Sequence, residues 1–158
     1  MPNHCYQSVE VYGPRFLVRE LYEHLTKADP EFCQVVCPMP FEQWLAPKTE
    51  YKGYFVDGWY DWRWNNWGTK WDVCDVQMTG PLYLHDDEDV EPQDLKASFQ
   101  FNCWTAWAPP IPVWEKLYEM GVRIHADYQD EGGNFEGRWI DGVDDTWEPE
   151  MEEEEEDA

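Results

Sequence analysis

Bases are scarce in this chain: 11 Lys and Arg stand against 34 Asp and Glu in 158 residues, for a formal charge of −23. That balance disfavours binding along a phosphate backbone, which needs cations to displace the counterions of nucleic acid. Aliphatic bulk is scarce too. Leu, Ile, Val and Phe together make up 30 residues, and so small a share beside so high a charge ordinarily marks a disordered chain. No apolar run approaches the roughly 20 residues of a membrane span. The start, Met1-Pro2-Asn3-His4-Cys5, lacks the basic and apolar layout of a signal peptide. The five cysteines are odd in number, so reduced thiols in a cytoplasm are expected. Cys33 and Cys37 sit close together, but the histidines at 4, 24, 85 and 125 are scattered and give no finger-like zinc spacing. Cys33, Cys37 and Cys103 lie in apolar stretches and are expected as small buried hydrophobes. No metal or cofactor is expected.

What the chain has instead is rings. It carries 11 Trp and 9 Tyr, and each large ring can bury roughly 150–250 Å², so an aromatic-rich core offsets the missing aliphatic residues. Charge divides the chain further: from Asp144 onward there are ten acids and no base. Residues 143–158 are therefore expected to form an acidic, disordered tail, because like charges in a block repel one another. The remaining body keeps 24 acids against 11 bases, so the acidity is not confined to the tail.

Alternation predicts a strand over Cys5–Tyr12, with Cys5, Val9 and Val11 on one face and Tyr6, Ser8 and Glu10 on the other. Leu17, Leu21 and Leu25 then mark an amphipathic helix, ended by Asp29-Pro30. Phe32–Cys37 reads as a short strand, and Asp57–Asn66 as a helix stopped by Gly68. That helix has Tyr60, Trp64 and Trp67 spaced for one face. Trp71–Met78 and Ser98–Ala106 read as strands flanking an acidic loop at 85–96. A helix carrying Val113, Leu117 and Met120 follows, stopped by Gly121, and then strands over Val122–Gln129 and Phe135–Asp141. This order predicts an α+β fold: a two-layer sandwich with a mostly antiparallel sheet and helices on one face, as in split β-α-β, ferredoxin-like domains. An aromatic-rich segment at about 41–70 is the insert.

Five stretches carry a resemblance. They are the Met1–Tyr6 lead, Val36-Cys37-Pro38-Met39-Pro40, Asn66-Trp67-Gly68-Thr69-Lys70-Trp71-Asp72, the run from Phe101 to Pro112, and Tyr128–Trp139. In this order they resemble a family of uncharacterised phage- and conjugative-plasmid-encoded proteins with a ferredoxin-like domain, over roughly residues 1–142. The resemblance implies a fold and a mobile-element origin, and no reaction.

Three constellations bear on function. The Trp59–Trp71 block interleaves rings with Arg63, Asn66 and Lys70. It reads either as core, as an aromatic anchor for a protein partner through Trp62, Trp64, Trp67 and Lys70, or as a stacking platform that sequesters a nucleotide. Asp72, Asp75, Asp127 and Asp130 invite a metal-dependent nuclease or hydrolase reading. No phosphate-cradling glycine loop or nucleophile elbow accompanies them, so no catalytic residue is assigned. The acidity itself is the third. Asp86, Asp87, Glu88 and Asp89 in the loop, Asp130, Glu131 and Glu136 at the last hairpin, and Glu152, Glu153, Glu154, Glu155 and Glu156 in the tail are expected to face a basic partner in place of phosphates. Together these lead to one expectation. The protein is a non-catalytic inhibitor that binds a basic, nucleic-acid-handling host defence protein of restriction or CRISPR type in the bacterial host cytoplasm. It is expected to bind neither nucleic acid nor membrane directly.

Overall fold

The computed structural model describes residues 3–86 and 90–148. The predicted alternation at the start builds β1 (His4–Pro14), whose odd-numbered residues from Cys5 to Gly13 are buried and whose even-numbered residues from Tyr6 to Tyr12 are exposed. Two long strands flank it antiparallel: β6 (Lys96–Ala106) on one side and β7 (Arg123–Asp130) on the other. Beyond β6 lie β4 (Cys74–Met78) and β5 (Tyr83–His85), which share its outer edge. Beyond β7 lie β8 (Glu136–Ile140) and β9 (Val143–Trp147). The result is a seven-stranded antiparallel sheet in the order β4-β6-β1-β7-β8-β9, with β5 also on β6. The fold is α+β, as expected.

The helices cover the face formed by the odd residues of β1. Helix α1 (Arg15–Leu25) buries Val18, Leu21 and Leu25 and sets Tyr22 edge-on to Phe99. Helix α4 (Ile111–Glu119) buries Val113, Trp114 and Leu117, with Trp114 packed on Tyr128 and Trp139. Met120, expected on that face, is exposed. Phe99 and Phe101 lie fully inside, each contributing about 1.5–3 kcal/mol by burial. The rings thus do fill the place of missing aliphatic bulk. Cys5, Cys33 and Cys103 are buried free thiols, while Cys37 is half-buried. Burial pushes the Cys5 thiol up to about 12 and raises Cys33 and Cys103 well above the ordinary value.

Two local expectations need correction. The stretch predicted as a strand over Phe32–Cys37 is instead a single helical turn, α2 (Cys33–Val36). Its ends are held from a distance. The Asp72 carboxylate accepts the backbone N–H groups of Phe32, Cys33 and Gln34 at 2.8–3.0 Å, and Trp67 Nε1 donates to the Cys37 carbonyl at 2.8 Å. Residues some 30–40 positions away therefore decide the local conformation.

The second correction concerns the tail. Residues 143–147 are not its beginning, because they pair along β8 as β9. The turn is Asp141-Gly142, both with positive φ (44° and 94°), the geometry of a tight hairpin. Tyr128 reaches across from β7 to hold this strand: its hydroxyl donates to Asp144 Oδ1 and bonds Thr146 Oγ1, both at 2.5 Å. Gly137 makes that reach possible, since a Cβ there would stand 2.4 Å from the Tyr128 hydroxyl. Burial is the first cause, and the bond to Asp144 the second, that raises the Tyr128 pKa above that of an ordinary phenol.

The insert forms a 3-10 turn (Phe41–Leu45), a small hairpin of β2 (Thr49–Tyr51) and β3 (Tyr54–Val56), and helix α3 (Gly58–Trp67). Gly68 stops α3 in the left-handed conformation (φ 77°), as its sequence position predicted. Among the described residues no helix is long and apolar enough to cross a membrane.

Candidate binding face of the sheet

Because the helices occupy one face, the other face of the sheet is open among the described residues. Strand register maps it row by row. The first row runs Trp104–Tyr6–Gln129–Glu136–Trp147 across β6, β1, β7, β8 and β9. The next runs Gln77–Asn102–Ser8–Asp127–Arg138–Asp145. Apart from Asp145, the residues of these two rows line a cleft of about 550 Å³, to which Asp75 also contributes. Asp75 reaches it from a register shift in β4 with φ +48°, a bulge that turns the side chain out of the ladder. Tyr6 is 39% exposed and Trp147 44%. Trp104 is stacked on His4 at 3.6 Å and donates its Nε1–H to Asp75 at 3.3 Å, so this ring is fixed in place.

The electrostatics of this face are one-sided. Glu10, Asp75, Asp127, Glu136 and Asp145 share it with the guanidinium groups of Arg123 and Arg138. Both guanidinium groups are already occupied. Arg138 Nε donates to Asp127 at 2.7 Å, and Arg123 donates to Asp141 at 3.1 Å, an acid that also bonds His125 Nε2. The Asp127 bond raises the Arg138 pKa. The carboxylate of Glu136, between Gln129 and Trp147 in the first row, has no hydrogen-bond or ion-pair partner among the described residues. Chemically the cleft offers ring faces, amides and free carboxylate, which suits a cationic group and opposes an anionic one.

The residues singled out in the sequence fall in several places. Trp67 is 1% exposed and structural. Trp59, Arg63 and Trp67 align at intervals of four on α3, and the Arg63 guanidinium lies 4.7–5.1 Å from the ring centroids of Trp44, Trp59 and Trp67. Burial lowers the Arg63 pKa. Trp62 packs edge-on to Trp67. Tyr60 and Trp64 form a different face, against Trp107, so the single stripe expected over Tyr60, Trp64 and Trp67 is split in two. Lys70 is half-buried over Tyr60, Trp71 and Trp107 at 5.3–5.8 Å. Trp64, 44% exposed, is the member of the expected Trp set that faces solvent.

Among the acids, Asp130 is only 7% exposed and accepts the backbone and side-chain N–H groups of Asn134. It orders the hairpin from within, and this corrects its expected role facing a partner. Glu131 accepts His4 N–H at 3.0 Å. Asp86 is exposed and bonds Arg15 at 2.7 Å. Glu136 lines the cleft. Asp87, Glu88, Asp89 and Glu152–Glu156 lie outside the described residues. Asp72, Asp75, Asp127 and Asp130 are held by separate partners, and among the described residues no group of three or more His, Cys, Asp or Glu is placed to hold a metal ion.

Sequence reading missed Tyr6, Trp104 and Trp147 as one row. The outward placement of Tyr6 was visible in the alternation of β1. The register that aligns it with the other two rings was not. Comparison of the chain with protein-family models, with curated proteins and with solved structures finds no match in any of the three.

Proposed function

We propose that this protein is a non-catalytic acidic module of a phage or other mobile element that binds a basic, nucleic-acid-handling host protein and blocks it. Carboxylates on a rigid surface would stand where that protein normally holds phosphates. The observation that carries this reading is the open face of the sheet. The guanidinium groups of Arg123 and Arg138 are paired, its rings are accessible, and its remaining carboxylates are directed outward. The mobile-element origin, and the restriction or CRISPR character of the target, rest on the sequence resemblance. The ferredoxin-like assignment belongs to the same proposal. It is supported by the order β4-β6-β1-β7, with α1 between β1 and β4 in sequence and α4 between β6 and β7, the connectivity of a split β-α-β domain. On this reading β8, β9 and the insert are additions to that frame.

The test is capture of partners from a bacterial lysate at low and moderate salt, followed by competition with DNA. The expected result is a nucleic-acid-binding protein that DNA displaces. Binding should weaken with salt without vanishing, because ring contacts are not screened. A partner that holds DNA and this protein together would overturn the mimicry mechanism.

A further inference from the structure

The molecule contains one demonstration of what its rings select. In the insert, three Trp rings enclose the Arg63 guanidinium, and in the adjacent cluster three rings surround the Lys70 ammonium. The cleft on the open face repeats the ring chemistry with no uncommitted cation among the described residues that line it. Its one guanidinium, Arg138, is committed to Asp127 at 2.7 Å. Glu136 stands between Gln129 and Trp147 in the first row, two strand spacings from Tyr6, or about 10 Å. A single extended side chain can touch a ring and the carboxylate at that separation.

We infer that this cleft is an arginine-accepting site, in which a guanidinium from a basic partner segment pairs with Glu136 and lies against Tyr6 or Trp147. The inference rests on the proposal that the partner is basic, and names the site and the side chain. Charge complementarity selects a cation over a phosphate-bearing ligand, since Asp75, Asp127 and Glu136 line the cleft against the single guanidinium of Arg138. Arginine is selected over lysine because a planar guanidinium stacks on a ring while it donates two parallel bonds to a carboxylate. Gln129, Asn102 and Gln77 supply neutral donors and acceptors to the rest of the segment.

The experiment titrates the full chain with three nine-residue peptides, Arg alternating with Gly, Lys with Gly, and Gln with Gly, followed by tryptophan fluorescence and by amide chemical shifts. At moderate salt the Arg peptide should bind about tenfold tighter than the Lys peptide, with shifts centred on β8 and β9. Glu136→Gln and Trp147→Ala should each weaken it about five- to tenfold. Trp147→Phe should retain most of the binding, and Glu23→Gln on exposed α1 should change nothing. Glu136→Gln is isosteric, so it decides the matter if Trp147→Ala loosens β9. Equal binding of Arg and Lys peptides with silent cleft variants would overturn the arginine site while leaving a basic partner in place. Failure of both cationic peptides to bind at low salt would overturn the site and the basic-partner reading together. Cleft shifts with adenosine or uridine that exceed those with the Arg peptide would overturn the site in favour of a base.

Discussion

The insert and the open sheet face are both rich in rings, yet they are built to opposite ends. In the insert Trp44, Trp59 and Trp67 turn toward one another around Arg63, and Tyr60, Trp71 and Trp107 surround Lys70. In the first row of the sheet face the rings of Trp104, Tyr6 and Trp147 come from three strands, with Gln129 and the Glu136 carboxylate between Tyr6 and Trp147. The difference lies in which charge accompanies the rings. A ring cluster that carries its own cation is saturated and becomes cement; one that carries a carboxylate instead is, on the proposed reading, the one that meets a cation from outside. Ring density along the chain is thus a poor guide to a binding site.

The comparison breaks most visibly at Trp67. Trp67→Ala should destabilise the fold by about 3–5 kcal/mol in chemical denaturation, through the cavity and the loss of the ring 4.7 Å from the Arg63 guanidinium. Trp64→Ala, on the solvent side of the same helix, should cost less than about 1 kcal/mol. Comparable losses at both positions would mean that α3 has no inside and outside. Asp72→Ala comes next. It strips the acceptor from three backbone N–H groups at the start of α2, and a loss of about 2–4 kcal/mol is expected. A change below about 1 kcal/mol would show that water replaces the carboxylate freely.

Tyr128→Phe should cost about 1–2 kcal/mol by releasing Asp144 and Thr146, read as a lowered melting temperature and faster amide exchange confined to β9. The pH dependence has a definite sign. The fold raises the Tyr128 pKa, so it favours the neutral phenol. That stabilisation is complete below the unfolded phenol value of about 10 and is lost as pH rises above it. Melting temperatures at pH 8 and pH 11 should diverge more for the native chain than for Tyr128→Phe. The smallest effect sharpens the comparison from the other side. Glu136→Gln should alter stability by no more than about 0.5 kcal/mol, because this carboxylate has no bonding partner among the described residues. A larger loss in thermal denaturation would make Glu136 part of the fold's own bonding.

Much of the architecture was legible in local pattern. The alternation of β1, β6 and β7, the Leu repeat of α1 and the stop at Gly68 each depend on neighbours within a few residues. Such signals survive in the sequence because side-chain direction follows the backbone period. The Asp141-Gly142 pair also carried a hairpin signal, but the surrounding acids masked it, and β9 was read as tail. The candidate site was the less legible part. Its individual residues looked like ordinary outward positions on separate strands.

By itself, then, the sequence determined the α+β class, the strands β1, β4, β6, β7 and β8 with helices α1, α3 and α4, an aromatic core and the overwhelming negative charge, all of which are properties of composition and short-range period. Tertiary structure alone decided three things. It converted Phe32–Cys37 from strand to helical turn, because Asp72 and Trp67 satisfy backbone groups that no local residue could reach. It closed the Trp block around Arg63 and Lys70, because those cations project into the space that the rings enclose. And it brought Tyr6, Trp104, Glu136 and Trp147, spread over some 140 residues of chain, into one row. Register between strands is set by how the hydrophobic faces of all of them meet one core, and that is not written in any one of them.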